Sequence, residues 1–276
     1  MQEPAKELEM LTTKKDVALV HMPYGPLTRP SMALGLLKSY LLERNLSTHI
    51  WDGNFIFAER IGLDYYQGLA NNERNFLGEW TFARAAFPER AKEHDQFLND
   101  VIDKRQTSFA SFEQDDAFAL FRAARLQAEL FIKELADMIL DQKPRIVGCG
   151  SMFEQQCASL AILKELKTRD PNIVTIIGGA NLEGTMGEAA FRCFPYLDYV
   201  VSGEADGLIG ELCETILQQG VFDPPFPEGV LGPADRDSCA KTALRIASES
   251  VPRPIGRPQV VDMNQTAIPN YDDYFK

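Results

Sequence analysis

The chain has 276 residues, 45% of them hydrophobic, and a formal charge of -12, so it can bury a sizeable core but would repel a phosphate backbone. No apolar run approaches the roughly 20 residues that span a bilayer, and the charged start Met1-Gln-Glu-Pro-Ala-Lys-Glu-Leu lacks the apolar core of a signal peptide. Five widely spaced cysteines, an odd number without a close pair, fit reduced thiols, and the expectation is a cytoplasmic protein that binds neither nucleic acid nor membrane.

Residues 1 to 15 are polar and of mixed charge, as in a loose tail. Val17-Ala-Leu-Val20 reads as a first strand, stopped by the prolines and glycine of His21-Met-Pro-Tyr-Gly-Pro-Leu-Thr-Arg-Pro30. Ser31 fits a helix cap ahead of Ala33, Leu34, Leu37, Tyr40 and Leu41, which share a helical face. A second strand is expected at Thr48-His-Ile-Trp-Asp52, completing a βαβ unit.

From residue 54 to 142 the periodicity turns helical, with Phe76, Leu77, Trp80, Phe82 and Phe87 in one candidate helix and Phe121, Leu126, Leu130, Ile132, Leu135 and Ile139 in another. A crossover helix needs about a dozen residues, so this stretch predicts a helical insertion between strands 2 and 3. Whether it caps a ligand or braces the sheet stays open at this level.

Ile146-Val-Gly-Cys-Gly-Ser-Met-Phe153 and Ile173-Val-Thr-Ile-Ile-Gly-Gly-Ala-Asn181 are apolar runs closed by small residues, as suits buried parallel strands with a ligand edge. Helices follow each, with Cys157, Leu160, Ala161, Leu163 and Leu166, then Met186, Ala189, Ala190 and Phe194. Leu197-Asp-Tyr-Val-Val201 is the fifth strand, before the turn Gly203-Glu-Ala-Asp206 and a helix bearing Leu208, Ile209, Leu212 and Ile216. The alternation predicts an α/β, Rossmann-like domain over 16 to 220, its five parallel strands in the flavodoxin-like order 2-1-3-4-5. The proline-rich residues 221 to 276 read as an irregular tail or interdomain connector.

Five loops should then share the carboxyl edge. Gly150, Gly178, Gly179 and Gly203 remove side chains there, while Ser151 and Asn181 offer hydrogen bonds; the alternative for each glycine is a tight turn. The first loop has prolines in place of a Gly-x-Gly-x-x-Gly fingerprint, and Gly148-Cys-Gly-Ser151 lacks a P-loop lysine, so dinucleotide binding and nucleotide hydrolysis are not expected.

Ser151-Met-Phe153 and Gly178-Gly179 resemble the Ser-x-Leu and Gly-Gly elements of cobalamin-binding Rossmann domains, with Phe153 in place of leucine. The family's Asp-x-His-x-x-Gly element is absent, because His21 precedes Met22-Pro-Tyr-Gly25. More closely, Met22-Pro-Tyr, Arg29-Pro-Ser-Met-Ala-Leu-Gly-Leu-Leu37, Gly179-Ala-Asn-Leu-Glu-Gly-Thr-Met-Gly187, Val200-Val-Ser-Gly-Glu-Ala-Asp206 and Ile268-Pro-Asn-Tyr-Asp-Asp-Tyr-Phe275 resemble the amino-terminal half of cobalamin-dependent radical SAM enzymes that mature ribosomally made peptides. That resemblance implies a cobalamin-binding portion of a C-methyltransferase whose cobalt has no histidine ligand. It implies S-adenosylmethionine and a [4Fe-4S] cluster only through a radical SAM barrel outside this chain, which would be the partner domain or subunit acting on a peptide substrate.

The same resemblance puts Pro23 and Tyr24 under the cobalt, the alternative for a loop tyrosine being to pack on its own helix. Ser151, Met152 and Phe153 would line the tail pocket, with Gly150, and Gly178, Gly179, Ala180 and Asn181 its other wall. Gly203 and Glu204 would meet the corrin amides, Arg29 a propionamide or the tail phosphate, and Asn54 lies in the neighbouring loop. No catalytic or metal-ligating residue is expected within the chain. Two other classes stay open: a stand-alone cobalamin carrier or sensor, and a flavodoxin-like regulatory module without a corrinoid.

Overall fold

A computed structural model describes residues 14–70, 76–103, 114–222, 226–236 and 262–276. Most of the expected amino-terminal tail, the proline run 251 to 258 and Cys239 lie outside the described residues. The helices are α1 (Met32–Glu43), α2 (Gly53–Ile61), α3 (Leu63–Ala70), α4 (Leu77–Ala86), α5 (Ala91–Asp103), α6 (Gln114–Asp141), α7 (Gln156–Arg169), α8 (Thr185–Cys193) and α9 (Ile209–Gln219). The strands are β1 (Val17–Val20), β2 (Thr48–Trp51), β3 (Ile146–Gly150), β4 (Val174–Gly178), β5 (Tyr199–Val201) and β6 (Val230–Leu231).

The sheet runs β2-β1-β3-β4-β5-β6, with the first five strands parallel and β6 antiparallel to β5. The expected five-stranded parallel sheet is thus corrected to a mixed, six-stranded one. Two residues between prolines carry no periodicity from which a strand could be read. In the fold they cover the edge of β5, pairing Val200 with Leu231 and Val201 with Val230.

Side chains alternate between two buried faces. Val17, Leu19, Ile50, Ile146, Val174, Ile176, Tyr199 and Val201 pack with Leu34 and Leu41 of α1 and with Ile209, Leu212 and Ile216 of α9. Ala18, Val20, Trp51, Val147, Cys149, Ile177 and Val200 face the other way. There they meet α7 and the helical insertion, which contributes Phe57, Trp80, Phe82, Phe131, Leu135 and Ile139 to one continuous cluster.

The insertion therefore braces the sheet, because α4 and α6 pack on α7 and share its apolar face. Within α6, Phe121, Ile132, Leu135 and Ile139 are buried as their spacing requires, while Leu126 and Leu130 of the expected stripe face solvent. Ser31 caps α1 as its sequence predicts, its hydroxyl accepting from the Leu34 amide at 3.3 Å.

The carboxyl-terminal segment is also built in. Ser39 donates to the Ile268 carbonyl at 2.6 Å, the Asn270 amide donates to Gly35 at 3.0 Å, and Lys38 pairs with Asp273 at 2.6 Å. Within the stretch read as a connector, these contacts lay residues 267–275 along α1.

Candidate functional site

Because β1 to β5 are parallel, the loops that follow them leave the sheet at one edge. The loop after β1 is pinned from three directions. Gln155 donates to the Met22 carbonyl at 2.6 Å, Tyr66 to Gly25 at 2.8 Å, and Asn54 to Pro26 at 3.0 Å. Asn54 is fully buried, and its Oδ1 has no hydrogen-bond partner.

The loops after β3 and β4 are tied into one unit. The Ser151 amide donates to Gly178 at 2.7 Å, the Asn181 amide donates back to Ser151 at 3.2 Å, and Asn181 Nδ2 reaches the Met152 carbonyl at 2.6 Å. The Ser151 hydroxyl is buried, bonded to Gln156 and accepting from Asn181 Nδ2 at 3.2 Å. Gly150, Ser151, Met152, Gly178, Gly179 and Asn181 are thereby brought together. Ala180 and Glu204 are exposed nearby, Gly203 is half-buried with φ of +85°, and Arg29 is exposed on the first loop.

Tyr24 packs inward, among the rings of the neighbouring helices. Its ring is buried, 4.9 Å from the Tyr66 ring and edge-on to Phe57 and Phe82, and Pro23 beside it is buried too. Desolvation, reinforced by the Glu154 carboxylate, pushes the phenol well above its ordinary range, so Tyr24 stays neutral. Apolar partners on α2, α3 and α4 claim the ring, and none of these could be read from the loop itself.

Residues that sequence reasoning missed hold the edge in place. The Glu79 carboxylate of α4 accepts from the Gln156 and Cys157 amides, at 2.9 and 2.6 Å, and so caps α7 from another helix. That carboxylate fills the place where a phosphate would sit at a helix amino end. A carboxylate between the apolar Phe76 and Trp80 was the one available signal.

His21 is enclosed. Its Nδ1 faces Asp52 at 3.4 Å, and Gly25 packs so tightly on the ring that a Cβ there would lie 2.2 Å from Nε2. Among the described residues no group of three His, Cys, Asp or Glu side chains could hold a metal ion.

Two glycines of the edge separate from the rest. Gly179 is forced, with φ of +102° and a virtual Cβ 2.6 Å from the Ser151 carbonyl oxygen. Gly150 is not: its φ lies outside the left-handed region and a Cβ would meet only Leu34, at 3.8 Å. Gly178, its partner in register, has the Val201 carbonyl oxygen at 3.3 Å from a virtual Cβ. Gly148, Gly150 and Gly178 lie on the sheet face beneath α1 and α9, where Leu19 and Val201 crowd Gly148 and Gly178 and only Gly150 has room for a Cβ. Glycine inside a strand costs about 0.5–1 kcal/mol relative to alanine. At Gly150 neither backbone conformation nor packing offsets that cost.

Phe76, Met152, Phe153 and Met186 each leave about half their surface exposed, and the Phe76 and Phe153 rings meet tilted, 5.4 Å between centroids. No protein-family model matches this chain, and no curated protein matches it.

Proposed function

We propose that this chain is the cobalamin-binding portion of a radical SAM C-methyltransferase that acts on a ribosomally made peptide. The observation that carries the reading is the glycine pair Gly150 and Gly178, in register on adjacent strands, with Gly150 demanded neither by its backbone nor by its neighbours. Supporting it, Met152 and Phe153 with Phe76 offer an apolar rim to a flat ring system, and Asn181 and Ser151 fix both loops before any ligand arrives. The flavodoxin-like order of the parallel strands puts the glycine pair at the edge where such ligands bind.

In this reading Gly150, Ser151, Gly178 and Gly179 hold the nucleotide tail, and Met152 and Phe153 touch the corrin. Bound methylcobalamin supplies the methyl group that is transferred. The chain's own residues bind, orient and exclude water, and none acts as acid, base or nucleophile. The enclosure of His21 by Asp52 and Gly25 supports a cobalt without a protein histidine.

The test is purification with added hydroxocobalamin. The expected result is corrinoid absorbance retained by the folded chain, with a spectrum lacking histidine coordination. Gly150→Leu should fold and lose the corrinoid, because its side chain fills the slot. A folded wild-type chain that retains none ends the proposal.

A further inference from the structure

Residues 267–275 do more than lie on the surface. The Ala267 amide donates to the Tyr40 hydroxyl at 3.1 Å, and Tyr271 packs where a Cβ on Gly35 would come within 2.6 Å of its ring. Asp273 then reaches the open edge of the sheet, where its Oδ2 accepts from the Ile50 amide at 2.8 Å and from Lys38, and its Oδ1 lies 3.3 Å from His49 Nδ1. Both side chains of the Lys38–Asp273 pair are at least nine-tenths buried. Next in sequence, Tyr274 stacks near Phe55 at 5.3 Å and donates to the Leu27 carbonyl at 3.2 Å.

Leu27 belongs to the loop after β1. The inner half of that loop is held by Asn54, Tyr66 and Gln155, whereas the outer half, leading through Arg29 into α1, takes its hydrogen bond from Tyr274. The helix gripped by the same segment carries Leu34, the side chain facing Gly150. One segment thus fixes both the outer loop and the helix whose Leu34 faces Gly150.

We propose that residues 267–275 form a clamp on the ligand edge and that Asp273 and Tyr274 are positioning residues for ligand binding, acting through α1 and the loop at Leu27 without touching the ligand. This rests on the corrinoid reading of the edge. It goes beyond that reading in making the end of this chain part of the binding apparatus.

The experiment compares the full wild-type chain with Tyr274→Phe and Gly35→Ala. Tyr274→Phe removes one hydroxyl; Gly35→Ala drives a methyl into the Tyr271 ring and displaces the clamp from the other side. Two readouts are taken: release of bound hydroxocobalamin after dilution, and hydrogen exchange of the amides in residues 27–34. Both variants should release the corrinoid faster, by about fivefold for Tyr274→Phe as for one lost hydrogen bond. Exchange should rise at residues 27–34 while the unfolding midpoint of Tyr274→Phe falls by no more than the loss of one hydrogen bond accounts for. Unchanged release and unchanged exchange in both variants overturn the clamp, as does faster exchange spread evenly over the chain. If the wild-type chain retains no corrinoid, the ligand reading falls by itself and the exchange pattern still decides the clamp.

Discussion

Glu79 and Glu154 cap each other's helices. Glu79, on α4, accepts from the first amides of α7, while Glu154, two residues ahead of α7, accepts from the Glu79 amide at 2.9 Å. Gly78 makes room, since a Cβ there would lie 2.3 Å from Glu154 Oε2. Glu79→Ala strips two amides of a charged acceptor and should destabilise the fold by about 2–3 kcal/mol, with Glu79→Gln recovering part of this. Urea denaturation checks it, the expected result being a lower midpoint with an unchanged slope.

The two kinds of glycine at the carboxyl edge predict opposite behaviour. Gly179→Ala puts a side chain at φ of +102° against the Ser151 carbonyl and should cost at least about 2 kcal/mol. Gly150→Ala meets ordinary contact with Leu34 and should be neutral or up to about 1 kcal/mol more stable. Thermal denaturation of the pair decides it; equal losses at both sites would show that Gly150 serves packing alone.

Asp273 makes stability depend on acid. Burial alone would raise its carboxyl, but hydrogen bonds from His49, Lys38 and the Ile50 amide outweigh that and hold it far below the usual carboxylate range. A carboxyl depressed on folding stabilises above its unfolded value, about 3.9, and that contribution drains away as pH falls toward the folded one. Wild type should therefore lose stability from about pH 4 downward more steeply than Asp273→Asn, which keeps an acceptor for Ile50 but cannot titrate. Parallel curves for the two proteins between pH 5 and 2 would contradict this.

The cysteines should divide by burial. Desolvation pushes the Cys213 thiol up to about 12 and raises Cys149 and Cys157 as well, Cys157 with added repulsion from Glu79 and Glu154. Cys193 is exposed. Brief maleimide treatment of the native chain should label Cys193 and spare Cys149, Cys157 and Cys213 until urea is added, as peptide mass spectrometry would show.

Much of the scaffold was legible because it rests on local signals. Runs such as Val17-Ala-Leu-Val20 and Ile146-Val-Gly-Cys-Gly150 can form only strands buried on both faces, and the Ser31 cap announces α1. Gly150 and Gly178 could be placed at the ends of β3 and β4, and Asn181 just beyond β4, because these positions are set by the strands themselves. The direction of Tyr24 could not be read, since the loop residue is claimed by rings from three helices of the insertion. Glu79 escaped for the same reason: its partners lie 77 and 78 residues away.

By itself the sequence determined the parallel α/β core, the helical insertion between β2 and β3, and the edge at which small residues collect. These follow from hydrophobic period and backbone chemistry, which act over a few residues. Tertiary structure alone decided that Gly179 is forced while Gly150 is free, that Tyr24 turns inward, and that Asp273 returns over 223 residues to seal β2 at Ile50. Such choices depend on which surfaces meet in space, where sterics and burial act between segments that share no local pattern.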